Sequence, residues 1–469
     1  MRQTIELRVY SSRHGRHMDE WSLMLGESQH EMDLIKVYPE CRLQRIIGFG
    51  GAFTEASAHV FARMPEGAQE RLLRAYFGSD GARYTLCRAP IMSCDFSLSP
   101  YSYHLRPLDA GLRGLDLSHD DREIIPLIRR ARALEPTLEL IASPWSPPAY
   151  MKTNFNRRLG GRLRRSFYGR WAKIMARYVA HLAEAGIPVT RLTIQNEPEA
   201  RQIWESCIMS GVQEASFAAE RLRPELARAG FGDVKLLGWD HNKQRTLERA
   251  RSAFDDPAHP DALDGLALHW YSGDHFEAVG HVRQCWPHKE LIASEACEAF
   301  AGTGARLSRE DELAAAEHYA HDIMGDLNSG VSAWIDWNLL LDERGGPNHV
   351  GNFCAAPAFF DTTGRRFGDS CKDGLQLTDT LAWITHFSRF IRPGAHRVLV
   401  TRCADDIEAT AAMNTDGSLA VVLLNRQGQT AKHTLCVHMG ERDLCGDLSL
   451  PGHTIMTVSC KGGLLGYAA

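Results

Sequence analysis

No run of roughly 18 apolar residues occurs in this chain, so no segment reads as a membrane-spanning helix. Neither charge sign dominates: the net charge is −5 and Lys, Arg, Asp and Glu are interspersed. That balance argues against nucleic acid or an anionic membrane as the main partner. The opening Met1-Arg2-Gln3-Thr4-Ile5-Glu6-Leu7-Arg8 has neither the apolar core nor the small-residue cleavage site of a secretory signal. The twelve cysteines form no CxxC pair and no regular framework. They read as free thiols in a reducing, cytoplasmic setting rather than as disulfides. His318 and His321 sit at helical spacing but lack a third ligand, and the glycines of Gly48–Gly51 lack the Lys-Ser/Thr of a phosphate loop. Neither a metal nor a cofactor is expected. Internal repeats and low-complexity linkers are also missing.

What is present is strand-helix alternation on a large scale. Eight apolar runs follow one another: Arg45–Thr54, Arg83–Ser93, Leu138–Ser146, Val189–Glu197, Val234–Asn242, Leu263–Ser272, Lys289–Glu295 and Val331–Leu341. Between them lie helical patterns such as Phe167–Ala185, where Trp171, Ile174, Met175, Tyr178, Val179 and Leu182 recur every three or four residues. Another covers Asp311–Asn328, while Asn242 to Leu263 leaves little room for a full helix. Eight such repeats predict a parallel sheet closed into a (β/α)8 TIM barrel over residues 45–392. Residues 3–9 and 33–38 flank it as short strands. Past Pro393 the pattern changes to strands at His396–Thr401, Ile407–Asn414, Leu419–Asn425 and His433–Val437, with an Asp416-Gly417 hairpin turn. Residues 1–44 and 393–469 are therefore expected to form a small β-sandwich side domain built from both termini, structural in role.

Two of the eight runs end in a carboxylate, at Asn196-Glu197-Pro198 and Ser294-Glu295-Ala296. Buried parallel strands are otherwise near-continuous apolar runs, so a charged residue closing one asks for a reason. A lone Glu there is commonly an ion-pair partner. Two of them three strands apart suggest a matched acid and nucleophile. In barrels of this kind the site lies at the C-terminal strand ends. Reading off those ends places Gly48–Phe53, Asp95, Trp145, Asn196 and Trp239-Asp240-His241-Asn242 at one mouth. His269, Trp270 and Tyr271 follow, with Trp334, Asp336, Trp337 and Asn338 along the last strand. The glycines suit positive φ and close approach. Aromatic faces mixed with short carboxylates and amides suit a carbohydrate, the expected partner.

At these positions the sequence resembles glycoside hydrolase family 30. The resemblance is carried by Gly48-Phe49-Gly50-Gly51-Ala52-Phe53-Thr54, Ser143-Pro144-Trp145 with Lys152-Thr153-Asn154, Asn196-Glu197-Pro198 and His269-Trp270-Tyr271. It continues through Ala293-Ser294-Glu295-Ala296-Cys297, Asp336-Trp337-Asn338-Leu339, Gly345-Gly346-Pro347-Asn348 with Asn352, His386–Ile391 and Val422–Arg426. It implies a retaining β-glycosidase with Glu197 as acid/base and Glu295 as nucleophile. It further implies that Asp95 and Trp145 hold distal hydroxyls, Asn196 the 2-hydroxyl, and that Trp337 forms the floor. Asn352 would line the same subsite, His269 and Tyr271 would flank the nucleophile, and the loop carrying Trp204 would shape the aglycone side. A soluble β-glucoside, β-xyloside or oligosaccharide cut from its non-reducing end is the expected substrate, in preference to a glycolipid head group. The alternatives are an endo-β-1,6-glucanase and a sugar-binding protein without catalysis.

That chemistry makes physical demands. Retention needs the two carboxyls about 5–5.5 Å apart. The charge of Glu295 is expected to raise the pKa of Glu197 until the glycosyl ester forms. Neighbouring strand residues face opposite ways, so Asn196 and Glu197 can both enter the site only across a bulge or sharp turn.

Overall fold

The computed structural model describes residues 4–13, 18–27, 32–299, 308–364 and 373–460. Three strands, β1 (Thr4–Ser12), β2 (Asp19–Glu27) and β3 (Leu34–Arg45), come first. The barrel follows, as β4 (Gly48–Ala52), β5 (Leu86–Ile91), β6 (Glu139–Pro144), β7 (Val189–Thr193), β8 (Lys235–Asn242), β9 (Gly265–His269), β10 (Glu290–Glu295) and β11 (Ala333–Asn338). These eight are hydrogen-bonded in sequence order, all parallel, and β11 closes on β4. Leu86, Ile141, Leu237, Ala267, Ile292, Ala333 and Ile335 fill the barrel interior. The helix Tyr168–Glu184 buries the whole apolar stripe read from its sequence, from Trp171 to Leu182. The short connection after Asn242 holds a nine-residue helix, Thr246–Phe254.

The glycines of β4 serve contact rather than unusual torsion. Gly48, Gly50 and Gly51 all have negative φ, against expectation. A Cβ on Gly50 would lie 1.8 Å from the carbonyl oxygen of Leu86, so here β4 and β5 touch backbone to backbone.

Beyond the barrel, β12 (Leu341–Asp342), β13 (Ala358–Phe360) and β14 (Leu375–Leu377) make a small sheet. The side domain completes the chain with β15 (His396–Arg402), β16 (Glu408–Met413), β17 (Leu419–Asn425), β18 (Ala431–His438), β19 (Asp443–Leu450) and β20 (Thr454–Ser459). Its neighbours run β1-β2-β19-β18-β3-β15-β16-β17-β20. Both termini contribute to it, with Val9 opposite Val458 and Ile35 beside Leu435. Its own core includes Ile5, Val37, Val421, Leu435 and Val458. Strands β2, β19 and β20 escaped the sequence reading. In β2 an unbroken polar-apolar alternation is lacking, and only Leu25 is buried among its nine residues.

The cysteine expectation needs correction. Cys436 and Cys445 stand directly opposite on β18 and β19 and are joined as a disulfide. The pairing removes one support for a reducing compartment. Cys371, like residues 1–3 and 461–469, lies outside the described residues.

Two glycine substitutions separate these effects. Gly50→Ala is expected to destabilise the protein by about 3 kcal/mol, because neither backbone can retreat. Gly280→Ala, inside the helix Phe276–Cys285 with only the Ser329 oxygen at 3.9 Å, is expected to stabilise by about 0.5–1 kcal/mol. Urea unfolding of both variants measures the contrast.

Candidate active site

The mouth is organised from below by Arg88. It sits mid-strand in β5, has no exposure, and spends its guanidinium on four partners. Nε donates to Ser143 Oγ (3.0 Å), Nη1 to Glu295 Oε2 (2.5 Å), and Nη2 to both Asn196 Oδ1 (2.8 Å) and Asp240 Oδ2 (2.7 Å). The faces of Trp145 and Trp337 lie 4.8 and 5.4 Å from its central carbon. Burial alone would depress the Arg88 pKa, but Asp240 and Glu295 more than offset it and the group stays charged. Asp240 is correspondingly held far below the usual carboxylate range, burial notwithstanding, by Arg88 and His269.

Glu197 and Asn196 both enter the site, and the chain turns sharply to allow it. Strand β7 stops at Thr193, four residues short of the expected end, and Glu197 has φ 44°. Its N–H donates to Asp240 O at 2.9 Å. Across from it, β8 shifts register between Trp239 and His241, with φ 70° at Trp239 and 44° at Asp240. The irregularity brings Asp240 and His241 into the barrel end together.

His269 connects the two glutamates. Its Nδ1 is 3.5 Å from Glu197 Oε1 and 3.7 Å from Glu295 Oε1, while Nε2 donates to Asp240 Oδ1 at 3.0 Å. One nitrogen within reach of both carboxylates caps their separation at the sum of its two distances, a range that holds the spacing retention needs. Tyr271 donates its hydroxyl to Glu295 Oε1 at 3.0 Å. Burial opposes a charge on His269, yet Glu295, Asp240 and Glu197 push its pKa up to about 9. Burial likewise favours neutral Glu197, but the hydrogen bond and charge of His269 outweigh it and hold Glu197 below its ordinary value. The expected rise at Glu197 is therefore not present in the free site. His269 takes the proton instead.

Above this layer a cavity of about 330 Å³ opens. Nine of the ten residues singled out from the sequence line it: Asp95, Trp145, Asn196, Glu197, Trp204, Tyr271, Glu295, Trp337 and Asn352. Trp145 and Trp337 stack at 5.1 Å, and Asn352 Nδ2 donates to Asp95 Oδ2 at 2.9 Å. Burial first, then the charge of Glu295, pushes Asp95 up to about 7. His269 is the exception among the ten. It has no exposure and lies beneath the cavity, because β9 ends there with its ring turned inward to Asp240.

Three other strand-end residues face away from the mouth. Trp334 Nε1 donates to Asp322 Oδ2 (2.9 Å) and Asp336 accepts from Tyr319 (2.7 Å), both partners on the helix Arg309–Asn328. Trp270 packs against His318 on that helix. His318 and His321 are engaged by Glu298, and by Glu408 and Asp274. The sequence reading gave no role to Arg88, Asp240, His241, Gln202 or Cys354. A cation inside Leu86-Cys87-Arg88-Ala89-Pro90-Ile91 carries the same signal as a carboxylate at a strand end, and it was there to be read.

A parallel eight-stranded barrel with paired carboxylates and stacked tryptophans at its C-terminal mouth is that of a sugar-cleaving hydrolase. Residues 46–391 match the glycosyl hydrolase family 30 TIM-barrel domain and 394–458 that family's beta sandwich domain. The chain belongs to glycoside hydrolase family 30 and is a glycosidase of the retaining type. It is 32% identical over 448 residues to the lysosomal acid glucosylceramidase of Mus musculus, covering 91% of this chain and 84% of that one. The endo-1,6-beta-D-glucanase of Neurospora crassa is 26% identical, with 86% and 83% covered. Among solved structures, SrfJ from Salmonella typhimurium superposes with a TM-score of 0.91 at 38% identity, covering 97% of this chain and 99% of that one. The endo-beta1,6-glucanase BT3312 superposes with a TM-score of 0.83 at 25% identity, covering 98% and 100%.

Arg88→Met should cost about 3–5 kcal/mol of stability, since it strands Asp240 and Glu295 as buried charges. Arg88→Lys should recover part of that, since one ammonium cannot span partners on four strand ends. Denaturant midpoints of the two variants check both statements.

Proposed function

We propose that the protein removes a single β-linked sugar, glucose or xylose, from the non-reducing end of a soluble glycoside, with Glu295 as nucleophile and Glu197 as acid/base. The observation that carries this reading is the two carboxylates meeting at His269 beneath one small cavity. The inner wall of that cavity (Asp95, Trp145, Trp337) is buried, which suits a terminal residue better than a chain running through.

Glu295 attacks the anomeric carbon, and its other oxygen stays tied to Arg88, so the carboxylate is held in one orientation. Tyr271 hydrogen-bonds the attacking side. Glu197 must give a proton to the leaving oxygen although it is ionised in the free site. His269 can supply it, since its Nδ1 faces Glu197 Oε1 and its Nε2 remains on Asp240. Formation of the ester removes the charge of Glu295, one of the groups that keeps the proton on His269. In the second step water attacks the anomeric carbon and the ester bond to Glu295 breaks, while Glu197 takes the water's proton and returns it to His269 as Glu295 regains its charge. Asn196, fixed by Arg88, takes the 2-hydroxyl in this reading, and Trp204 and Gln202 on the cavity wall border the leaving group. An endo-β-1,6-glucanase is the second reading, favoured by the likeness to BT3312 along the whole chain.

Glu295→Gly should abolish turnover and regain it with azide as external nucleophile; near-wild-type activity without azide removes Glu295 from the role. Glu197→Ala should slow glycosides with poor leaving groups by about 10²–10⁴-fold and activated aryl glycosides far less. Equal losses on both would reject the acid role. Products from a β-1,6-linked glucan separate the two readings: single sugars support exo action, and mixed oligosaccharides overturn it.

A further inference from the structure

The residues around Glu197 have a second chemical capacity. Glu197 Oε1 is 3.7 Å from His241 Nδ1 and 3.5 Å from His269 Nδ1. The ligand atoms these three residues offer lie within 4.8 Å of one another. Four-coordinate zinc binds nitrogen and carboxylate oxygen at about 2.0–2.2 Å, so tetrahedral ligand atoms stand about 3.3–3.5 Å apart. Two of the edges are thus already near the required length. Both histidine nitrogens are shut off from water, and neither has a hydrogen-bond partner among the described residues. Buried polar atoms are nearly always hydrogen-bonded, and these two instead share one carboxylate oxygen at a longer distance.

The surrounding groups complete the pattern. His269 Nε2 is bonded to Asp240, which in turn accepts from Ser294 Oγ (2.7 Å) and Arg88. A carboxylate on the far nitrogen of a histidine fixes the ring and presents the near nitrogen as a lone pair, as in protein zinc sites. His241 is held by the register shift in β8 and by its ring contact with Trp239 at 4.8 Å. Burial keeps it neutral, its pKa pushed down to about 4. Glu197 and His241 line the cavity, so the cluster lies at its floor.

We propose that Glu197, His241 and His269 form an inhibitory site for a divalent transition metal such as zinc, which docks on the acid/base itself. Two nitrogens and one oxygen select zinc, copper or nickel over magnesium and calcium, which require oxygen ligands. With the ion in place, Glu197 can neither receive nor donate a proton, so hydrolysis stops until a chelator removes it. This last consequence, though not the binding, rests on Glu197 being the acid/base.

Calorimetric titration of the full chain with Zn²⁺, together with Co²⁺ absorption spectra, tests the site. One equivalent should bind, with the intense visible bands of four- or five-coordinate cobalt, and EDTA should restore activity. Mg²⁺ should neither bind nor inhibit. His241→Ala, shown to be folded by circular dichroism, should weaken zinc at least tenfold, and Glu197→Gln should do likewise. An octahedral, weakly absorbing cobalt spectrum, or zinc affinity unchanged in both variants, overturns the proposal. The spectra need no turnover, so a failed glycosidase assay leaves them standing. A fully active enzyme without the cobalt bands sinks the metal site alone.

Discussion

The barrel is built around a cation that cannot reach water. Removing a guanidinium from solvent costs several kcal/mol unless its hydrogens are all directed at acceptors. Arg88 meets that demand with two carboxylates, an amide and a hydroxyl, sandwiched beside two indole faces. The guanidinium is planar and its donors point in fixed directions, so its partners are held at fixed angles to one another. They belong to β6, β8, β10 and the turn after β7. One side chain thus sets the relative positions of four strand ends, with the carboxylate of Glu295 among its partners.

That constraint also accounts for backbone strain at the mouth. Glu197, Trp239 and Asp240 all have positive φ without being glycine. Such conformations cost on the order of 1–3 kcal/mol each and persist only where the surroundings over-determine them. Here they are held by the Arg88–Asp240 pair, the bond from Glu197 N to Asp240 O, and the contact of Asp240 with His269. The same distortions let consecutive residues, Asn196 with Glu197 and Asp240 with His241, serve one site.

Much of this was legible before any coordinates. All eight barrel strands and the stripe of the helix Tyr168–Glu184 follow from periodicity, because parallel strands buried on both faces read as apolar runs and helices as stripes. Glu197 and Glu295 stood out because they break that rule. What the pattern could not convey was direction. Trp334, Asp336 and Trp270 sit at strand ends yet point to the helices, since a single register shift decides which face a side chain takes. Proton ownership was equally hidden. The pKa of Glu197 depends on His269, brought beside it by folding, rather than on Glu295 alone. The disulfide escaped because nine residues of spacing say nothing until β18 and β19 are seen to pair.

The side domain interleaves the two ends of the chain: β1 lies between β2 and β20, and β3 between β18 and β15. During synthesis β1 and β2 can pair at once, but β1 emerges without β20, β2 without β19, and β3 without β15 or β18. They must wait while the whole barrel is made, with hydrogen-bonding edges open to any neighbouring strand. A chain that stalls or is cut before β20 can complete its barrel but never close that sheet. The strand β20 thus decides whether β1 is ever paired on both edges.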